Sequence, residues 1–387
     1  MSRIDDLIAE LCPIGVTFRE IGDAIIIDFG ARITKMKDSG TVYPVYGGGG
    51  ASFRTDSFNR EDEYVISRFA ISETCVRKVQ GKFWMLDSGF TFDPADGAVD
   101  KDFVAYVLFN MQAVIHACSS QGAQKNLKTD DFKKIRIPAP PIEVQREIVK
   151  VLDTFIALEG ELEGELEARR RQYEYYRDSL LSFGEVRRVK WLPMGEVGSF
   201  TRGRRFVKDD IVTDGLPAIH YGEIYTHYGT STDHAVNHVR AEIAPRLRFA
   251  QPGDVVIAAV GETVEDVGKA VAWLGDGPVA VHDDCFTFSH AQNPKFIAYY
   301  LQTAALNADK DKHVSRAKVK RLSAEGLGKL VIPVPPVGEQ VRIVAVLDKF
   351  DALVNDLSIG LPAELKARRQ QYEHYRDKLL SFEEAVA

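Results

Sequence analysis

Two segments of this chain return almost unchanged in its second half. Ile137-Pro138-Ala139-Pro140-Pro141 recurs as Ile332-Pro333-Val334-Pro335-Pro336, and residues 137–158 match 332–353 at 13 of 22 positions. Further on, ARRRQYEYYRDSLLSF (168–183) recurs as ARRQQYEHYRDKLLSF (367–382), identical at 13 of 16 positions. A repeat this long requires two units of one design rather than one fused core. Weaker echoes precede each Pro-rich junction. Phe18–Asp23 resembles Trp191–Glu196, Pro44 matches Pro217, Tyr64-Val65-Ile66 matches Val255-Val256-Ile257, Phe90-Thr91-Phe92 matches Phe286-Thr287-Phe288, and Phe103–Tyr106 matches Phe296–Tyr299. The order is therefore variable domain (1–136), constant segment (137–183), variable domain (184–331), constant segment (332–387).

The constant segments read as long helices. In the first, Ile148, Leu152, Phe155, Leu162, Leu166, Tyr173, Tyr176, Leu180 and Phe183 hold one 4-3-4-3 register, interrupted only by Glu159 and Arg169. Heptads of this kind predict a left-handed helical pairing, beginning just after the prolines. A helix from Glu143 to Phe183 would span roughly 60 Å. The second copy carries four extra residues between Leu353 and Ala367, a stutter that nearly preserves helix phase. Gly360 and Pro362 fall inside it, so a break and a continuous helix are both open there. The two copies pair most simply as an antiparallel coiled-coil spacer related by a pseudo-twofold. The alternative is that each helix only caps its own domain.

The variable segments read as α+β and strand-rich. Short apolar runs (AIII at 24–27, YVIS at 64–67, DVVIAAV at 254–260, KAVAWL at 269–274) sit between turn residues. One helix is expected in each, at 101–115 and 294–306. No apolar run approaches membrane-spanning length. The start, MSRIDDLIAEL, lacks the apolar core of a signal peptide. The four cysteines (Cys12, Cys75, Cys118, Cys285) lie far apart without zinc spacing, and together these features predict a cytoplasmic protein. The net charge of −7 argues at first against nucleic acid. Its distribution reverses this. Residues 15–136 hold 16 basic and 16 acidic side chains and residues 184–331 hold 19 and 18, so the excess negative charge lies elsewhere and each neutral domain is free to present a basic face.

On these junctions and helices the chain resembles the specificity subunits of type I restriction–modification systems over essentially its whole length. Their constant regions open on an IPxPPxxEQ-like junction and close on an Arg-Arg-Gln-Tyr-rich stretch. Glu339-Gln340 fits this pattern, whereas the first copy has Val144 before Gln145. The resemblance implies that each variable domain reads one half of a split double-stranded DNA target. It implies that the helices set the gap between halves and hold two modification (adenine methyltransferase) subunits, which restriction subunits, the ATP-driven endonuclease, can join. It places S-adenosylmethionine, ATP and magnesium on those partners, with no cofactor or metal on this chain. Two readers on a rigid rod select for distance as well as for bases, because half-sites must match in separation and groove phase.

Reading DNA takes phosphate contacts from Lys, Arg and backbone amides, and base-edge contacts from Arg, Lys, Asn and Gln. In the first domain Arg32, Lys35 and Lys37 form a basic loop, and Gly47–Gly50, with Gly48 and Gly49 at its centre, permits close backbone approach. The stretch Gln121, Gly122, Ala123, Gln124, Lys125, Asn126 is the densest reader, similar to a Gly-x-Gln-x-Asn stretch of the family. In the second domain Arg202, Arg204, Arg205 and Lys208 form one basic loop. Lys310, Lys312, His313, Arg316, Lys318, Lys320 and Arg321 form a denser one, at the position matching 121–126. Arg68 and His220 follow apolar runs and could reach a groove. The tyrosines Tyr173, Tyr176, Tyr372 and Tyr375 are candidates for partner contact or for the intramolecular seam.

The enzyme classes fail on chemistry. Both Pro-Pro pairs precede Ile or Val, so the Asn/Asp-Pro-Pro-aromatic motif of an adenine methyltransferase is missing. Gly261–Ala270 has glycines too far apart for a phosphate loop and Ala270 where Ser or Thr is required. Asp209-Asp210 and Asp283-Asp284 read as turn or capping residues rather than magnesium ligands. The competing non-enzyme is a helical scaffold that binds no DNA, which leaves the matching basic loops of two divergent domains unexplained.

Overall fold

The computed structural model describes residues 2–120, 125–184, 189–315, 319–356 and 358–385. It divides into two compact units, one of residues 1–161 with 367–387 and one of residues 162–366. Each unit therefore combines a variable domain with part of both constant segments.

The first unit begins with α1 (Ser2–Leu11), whose Ile4 is buried against the domain. Strand β1 (Phe18–Glu20) then pairs antiparallel with β8 (Arg136–Pro138), joining the entrance of the domain to its exit. Between them lie β2 (Ile25–Phe29), β3 (Tyr43–Gly47), β4 (Gly50–Thr55), β5 (Arg60–Ser67), β6 (Val76–Met85) and β7 (Gly89–Pro94), forming one sheet in the order β2-β7-β5-β6-β3-β4. Successive strand residues face opposite sides, and both sides are covered. Tyr64 and Ile66 enter the large core under the helices, while Val65 joins Val79, Phe83 and Met85 in a smaller one. This is why YVIS is apolar without alternation.

The expected helix at 101–115 is two, α2 (Lys101–Asn110) and α3 (Gln112–Ala117), meeting at Met111. Asp100 caps α2 by accepting from the amides of Asp102 and Phe103. Phe103, Val104, Ala105, Val107 and Leu108 are buried, at about 1.5–3 kcal/mol for each large side chain fully withdrawn from water.

The second unit repeats this plan. Strand β9 (Lys190–Pro193) pairs with β16 (Val331–Val334) as β1 does with β8. Strands β10 (Gly198–Arg202), β15 (Cys285–His290), β12 (Val255–Ala258) and β13 (Ala270–Trp273) follow one another in that order across the sheet, matching β2-β7-β5-β6. The sheet divides beyond this point. Where β6 runs unbroken for ten residues, the second domain has β13, an interruption at residues 274–278, and β14 (Val279–Val281). Strand β14 pairs in parallel with β11 (Leu216–Ile219) in a separate five-stranded sheet. The run at 254–260 again serves two cores, Val255 and Ile257 in one and Val256 and Ala258 in the other. The helix expected at 294–306 is likewise two, α5 (Pro294–Tyr300) and α6 (Ala304–Lys310), the second capped by Thr303.

The first constant segment is α4 (Ile142–Leu181), a single helix of 40 residues. The second breaks into α7 (Val337–Asn355) and α8 (Gly360–Leu379). The break follows from Gly360. Its φ is +78° and a Cβ there would lie 2.6 Å from the Leu353 carbonyl oxygen, so only glycine fits. Asp356 Oδ1 accepts from the amides of Ser358 and Ile359, and Pro362 sits in the first turn of α8, where a missing N–H costs nothing. Leu357, between these two helices, lies outside the described residues.

The helical copies pair antiparallel, and one contact recurs in each unit. In the first unit the Phe155 ring stacks on Tyr375, with centroids 5.5 Å apart. In the second unit Phe350, the repeat equivalent of Phe155, stacks at 5.7 Å on Tyr176, the equivalent of Tyr375. Glu159, polar on an apolar seam, meets Arg369 at 2.6 Å. Ile148 and Leu152 share the first core with Leu379 and Leu380, and Leu166 and Tyr173 share the second with Leu347 and Val354.

Candidate nucleic-acid interface

Each domain is fastened to its helix by the same pair of polar contacts. Gln145 is fully buried; its Oε1 accepts from the Asp100 amide at 2.7 Å, and its Nε2 donates to the carbonyls of Ala98 and Pro140. Gln340 is fully buried too. It accepts from the Asn293 amide at 2.8 Å and donates to Gln292 Oε1 and the Pro335 carbonyl. One glutamine thus holds the start of the constant helix to the residue that caps the domain's own helix. About two helical turns further on, Tyr106 donates to Asp153 in the first unit and Tyr299 to Asp348, at 2.7 Å, in the second. Nothing comparable restrains the junction glutamate. Among the described residues Glu339 pairs only with Arg342 on the same helix, and the buried Val144 stands in its place in the first copy. The spacing of the junction displayed the glutamine, but its burial shows only in the folded chain.

A second recurring frame lies at the end of each sheet, around the loops singled out as readers. In the first domain Ser120 N donates to the Asn126 carbonyl at 2.8 Å, Asn126 N donates to Ser120 Oγ at 3.0 Å, and Leu127 N donates to the Arg68 carbonyl. In the second domain Ser315 N donates to the Arg321 carbonyl at 3.0 Å, Arg321 N donates to Ser315 Oγ at 3.0 Å, and Leu322 N donates to the Ala259 carbonyl. These bonds make Asn126 equivalent to Arg321 and Arg68 equivalent to Ala259. Gln121 and Gln124 of the first loop and Arg316 and Lys318 of the second lie outside the described residues.

Around the first frame, Lys125 is exposed and its carbonyl accepts from Ile71 N, while Asn126 Oδ1 accepts from Ala70 N at 3.3 Å. The Arg68 guanidinium lies 5.0 Å from the Phe29 ring centroid and 4.8 Å from that of Phe69. Arg32, Lys35 and Lys37 are exposed on the segment that follows Phe29. Gly49 is open to solvent. Gly48 is buried, and a Cβ there would come 1.9 Å from the Phe69 carbonyl oxygen. The close approach that Gly48 permits is therefore to its own domain.

In the second domain Arg202, Arg205, Lys208, His220 and Arg321 line one open cleft of about 530 Å3, together with His282, Asp283 and Asp284. Arg204 is exposed beside it. The acidic pairs are occupied: Asp284 lies 3.8 Å from Arg321, and the buried Asp210 pairs with Arg240 and Arg246 and accepts from Val207 N. His220 caps the helix Tyr221–Thr226 by accepting from Gly222 N, so a structural duty accounts for it. The His282 and His220 rings lie 4.3 Å apart. Burial, with His220 beside it, holds His282 below the ordinary histidine range, and its Nδ1 accepts from Asp284 N, as a neutral ring does.

Beyond the cleft, Lys312 pairs with Asp309 and His313 packs beside Gly326. Lys320 sits on the short strand Lys320–Arg321, paired with Val260–Gly261. Lys310 is not a surface cation. It is 2% exposed, its ammonium donates to the Glu265 carbonyl, and burial lowers its pKa to about 8. Tyr173 is buried in the core of the second unit, and Tyr176, Tyr372 and Tyr375 pack on Phe350 or Phe155. The tyrosines serve the intramolecular seam, although Tyr176 keeps 40% of its surface exposed.

The family model described as "Type I restriction modification DNA specificity domain" matches this chain twice, over residues 13–168 and 192–367. A putative type I restriction enzyme specificity subunit of Haemophilus influenzae is 27% identical over 366 residues, covering 90% of each chain. The EcoR124I/EcoR124II specificity subunit of Escherichia coli is 33% identical over 261 residues, 65% of this chain and 63% of that one. Among solved structures, a type I restriction–modification S subunit from M. genitalium aligns over 96% of this chain and 97% of its own, at 19% identity and a TM-score of 0.57. A chain from a structure described under complex assembly and conformational transition of the type I restriction–modification system aligns over 95% of this chain and 97% of its own, at 16% identity and a TM-score of 0.60. At these identities the solved structures establish the shared fold.

Proposed function

Because the chain belongs to the type I restriction–modification DNA specificity family, whose named members are non-catalytic specificity subunits, we propose that it reads a bipartite double-stranded DNA target, one half with each domain. The observation that carries this is the repeated end-of-sheet frame. Identical backbone bonds hold Asn126 in one domain and Arg321 in the other. A constant frame carrying different base-edge chemistry is what two readers of two different sequences need. Reading falls to Arg68, Lys125 and Asn126 with the loop before them, and to the cleft of Arg202, Arg205, Lys208 and Arg321 with its own preceding loop. Arg32, Lys35, Lys37, Arg204, Lys312 and Lys320 contribute phosphate contacts. The constant helices dock two modification subunits, to which restriction subunits add. S-adenosylmethionine, ATP and magnesium act on those partners.

The test is co-expression with the neighbouring methyltransferase subunit in a host without adenine methylation, followed by sequencing of modified bases. The expected result is methyladenine at one split motif of fixed gap. A soluble complex with an active methyltransferase and no motif would leave the scaffold reading in its place.

A further inference from the structure

Most arginines of the first domain are engaged. Arg19 pairs with Asp96, Arg60 with Asp28 and Arg136 with Glu384, Arg54 donates to the Val42 carbonyl, and Arg77 donates to the Gly48 carbonyl and to Ser67. Arg68 differs. Among the described residues its guanidinium has no carboxylate or carbonyl partner, yet it is not loose. Its amide donates to the Ser88 carbonyl at 2.8 Å and its carbonyl accepts from Leu127, so the backbone is held from both sides. Its guanidinium rests against the two rings of Phe29 and Phe69. Cation–π contact with two rings restrains the guanidinium while leaving its N–H donors unspent.

Unpartnered donors on an ordered side chain need an acceptor of matching geometry. A planar bidentate fork fits the O6 and N7 acceptors of guanine in the major groove, the commonest specific contact that arginine makes. The neighbouring frame supports a base edge over a phosphate. Asn126, whose Oδ1 accepts from Ala70 on the adjoining segment, adds a second side chain suited to base edges. The equivalent point of the second domain is Ala259, which carries no such group, and the nearby cation is Arg321, at the position of Asn126, with its guanidinium 3.8 Å from Asp284. The two domains thus carry an arginine at different positions of the same frame, as expected of groups that select different bases.

We propose that Arg68 reads a guanine in the half-site recognised by the first domain. This deepens the proposed function and rests on it. The test compares the methylated motifs produced by the wild-type complex and by Arg68→Ala and Arg68→Lys. The first domain's half is identified as the half that changes when residues 15–136 are exchanged for those of a relative. The expected outcome is a G·C pair in that half whose discrimination falls about tenfold to a hundredfold in Arg68→Ala. Arg68→Lys, which keeps the charge but loses the fork, restores it only in part. The other half stays fully specified in both variants, which also shows that the chain still folds and assembles. A first half without guanine overturns the inference. So does an Arg68→Ala complex that methylates every site more weakly but with unchanged sequence preference and a shallower salt dependence, the behaviour of a phosphate contact. Absence of any split motif with the wild-type chain would instead overturn the function beneath it.

Discussion

The two domains share a central sheet, yet they differ in what surrounds it. In the first, β6 is one long strand and the sheet is continuous. In the second, the same path is cut at residues 274–278, and the freed strand β14 helps build a second sheet. The interruption lies at the opposite end of the strands from the frame at Ala259. The glutamine lock, the Tyr–Asp link and the three bonds of the end-of-sheet frame are duplicated, while the far side of the sheet diverges. Attachment and frame are constant, and the surface between them varies.

The glutamine lock carries the largest expected effect. Replacing Gln145 or Gln340 with leucine strands a buried amide and two carbonyls, each costing about 1–3 kcal/mol. Loss of about 3 kcal/mol is expected from either substitution, seen by hydrogen exchange in the unit concerned. Unequal losses would show that the two junctions are not one device. Next comes the stacked pair. Phe155→Ala and Phe350→Ala remove a half-buried ring and its stacking partner, for about 2 kcal/mol each, again of similar size in both units.

Two smaller effects belong to the second unit alone. Lys310 has a folded pKa of about 8, below its unfolded value of 10.5. Between those values the unfolded chain binds the extra proton, so stability rises with pH across that window. Lys310→Met is expected to abolish this slope and to raise stability at neutral pH by about 1–2 kcal/mol, as denaturant titrations at pH 7 and 10 would show. The smallest effect comes from His282 and His290, both held below the usual histidine range chiefly by burial. Below their unfolded value of 6.5 the unfolded chain takes up protons that the folded rings resist. Exchange protection of the second domain therefore falls as pH drops below 6.5. The first domain, whose single histidine is His116, keeps its protection over the same range.

Much of this architecture was legible because a repeat substitutes for an alignment. The seam residues Phe155 and Phe350 and the pairs 64–66/255–257 and 90–92/286–288 all fall on equivalent structural positions. Properties that depend on a neighbour distant in sequence were hidden. Lys310 reads as one cation of a basic run, and only the fold buries it beside Glu265 and Gly268. Gly48 reads as an open loop until Phe69 closes on it. Gln145 was conspicuous only as the remnant of a motif. The equivalence of Asn126 and Arg321 was implied by their position before each junction, and the closing serines, Ser120 and Ser315, are the signal that could have sharpened it.

The central claim is that the constant frame carries two independent readers. The most direct measurement is the methylated motif produced after residues 15–136 are replaced by the corresponding domain of a relative, with the helices and residues 184–331 untouched. One half of the motif is expected to change while the other half and the gap remain. Change in both halves, or in the gap alone, would contradict that claim.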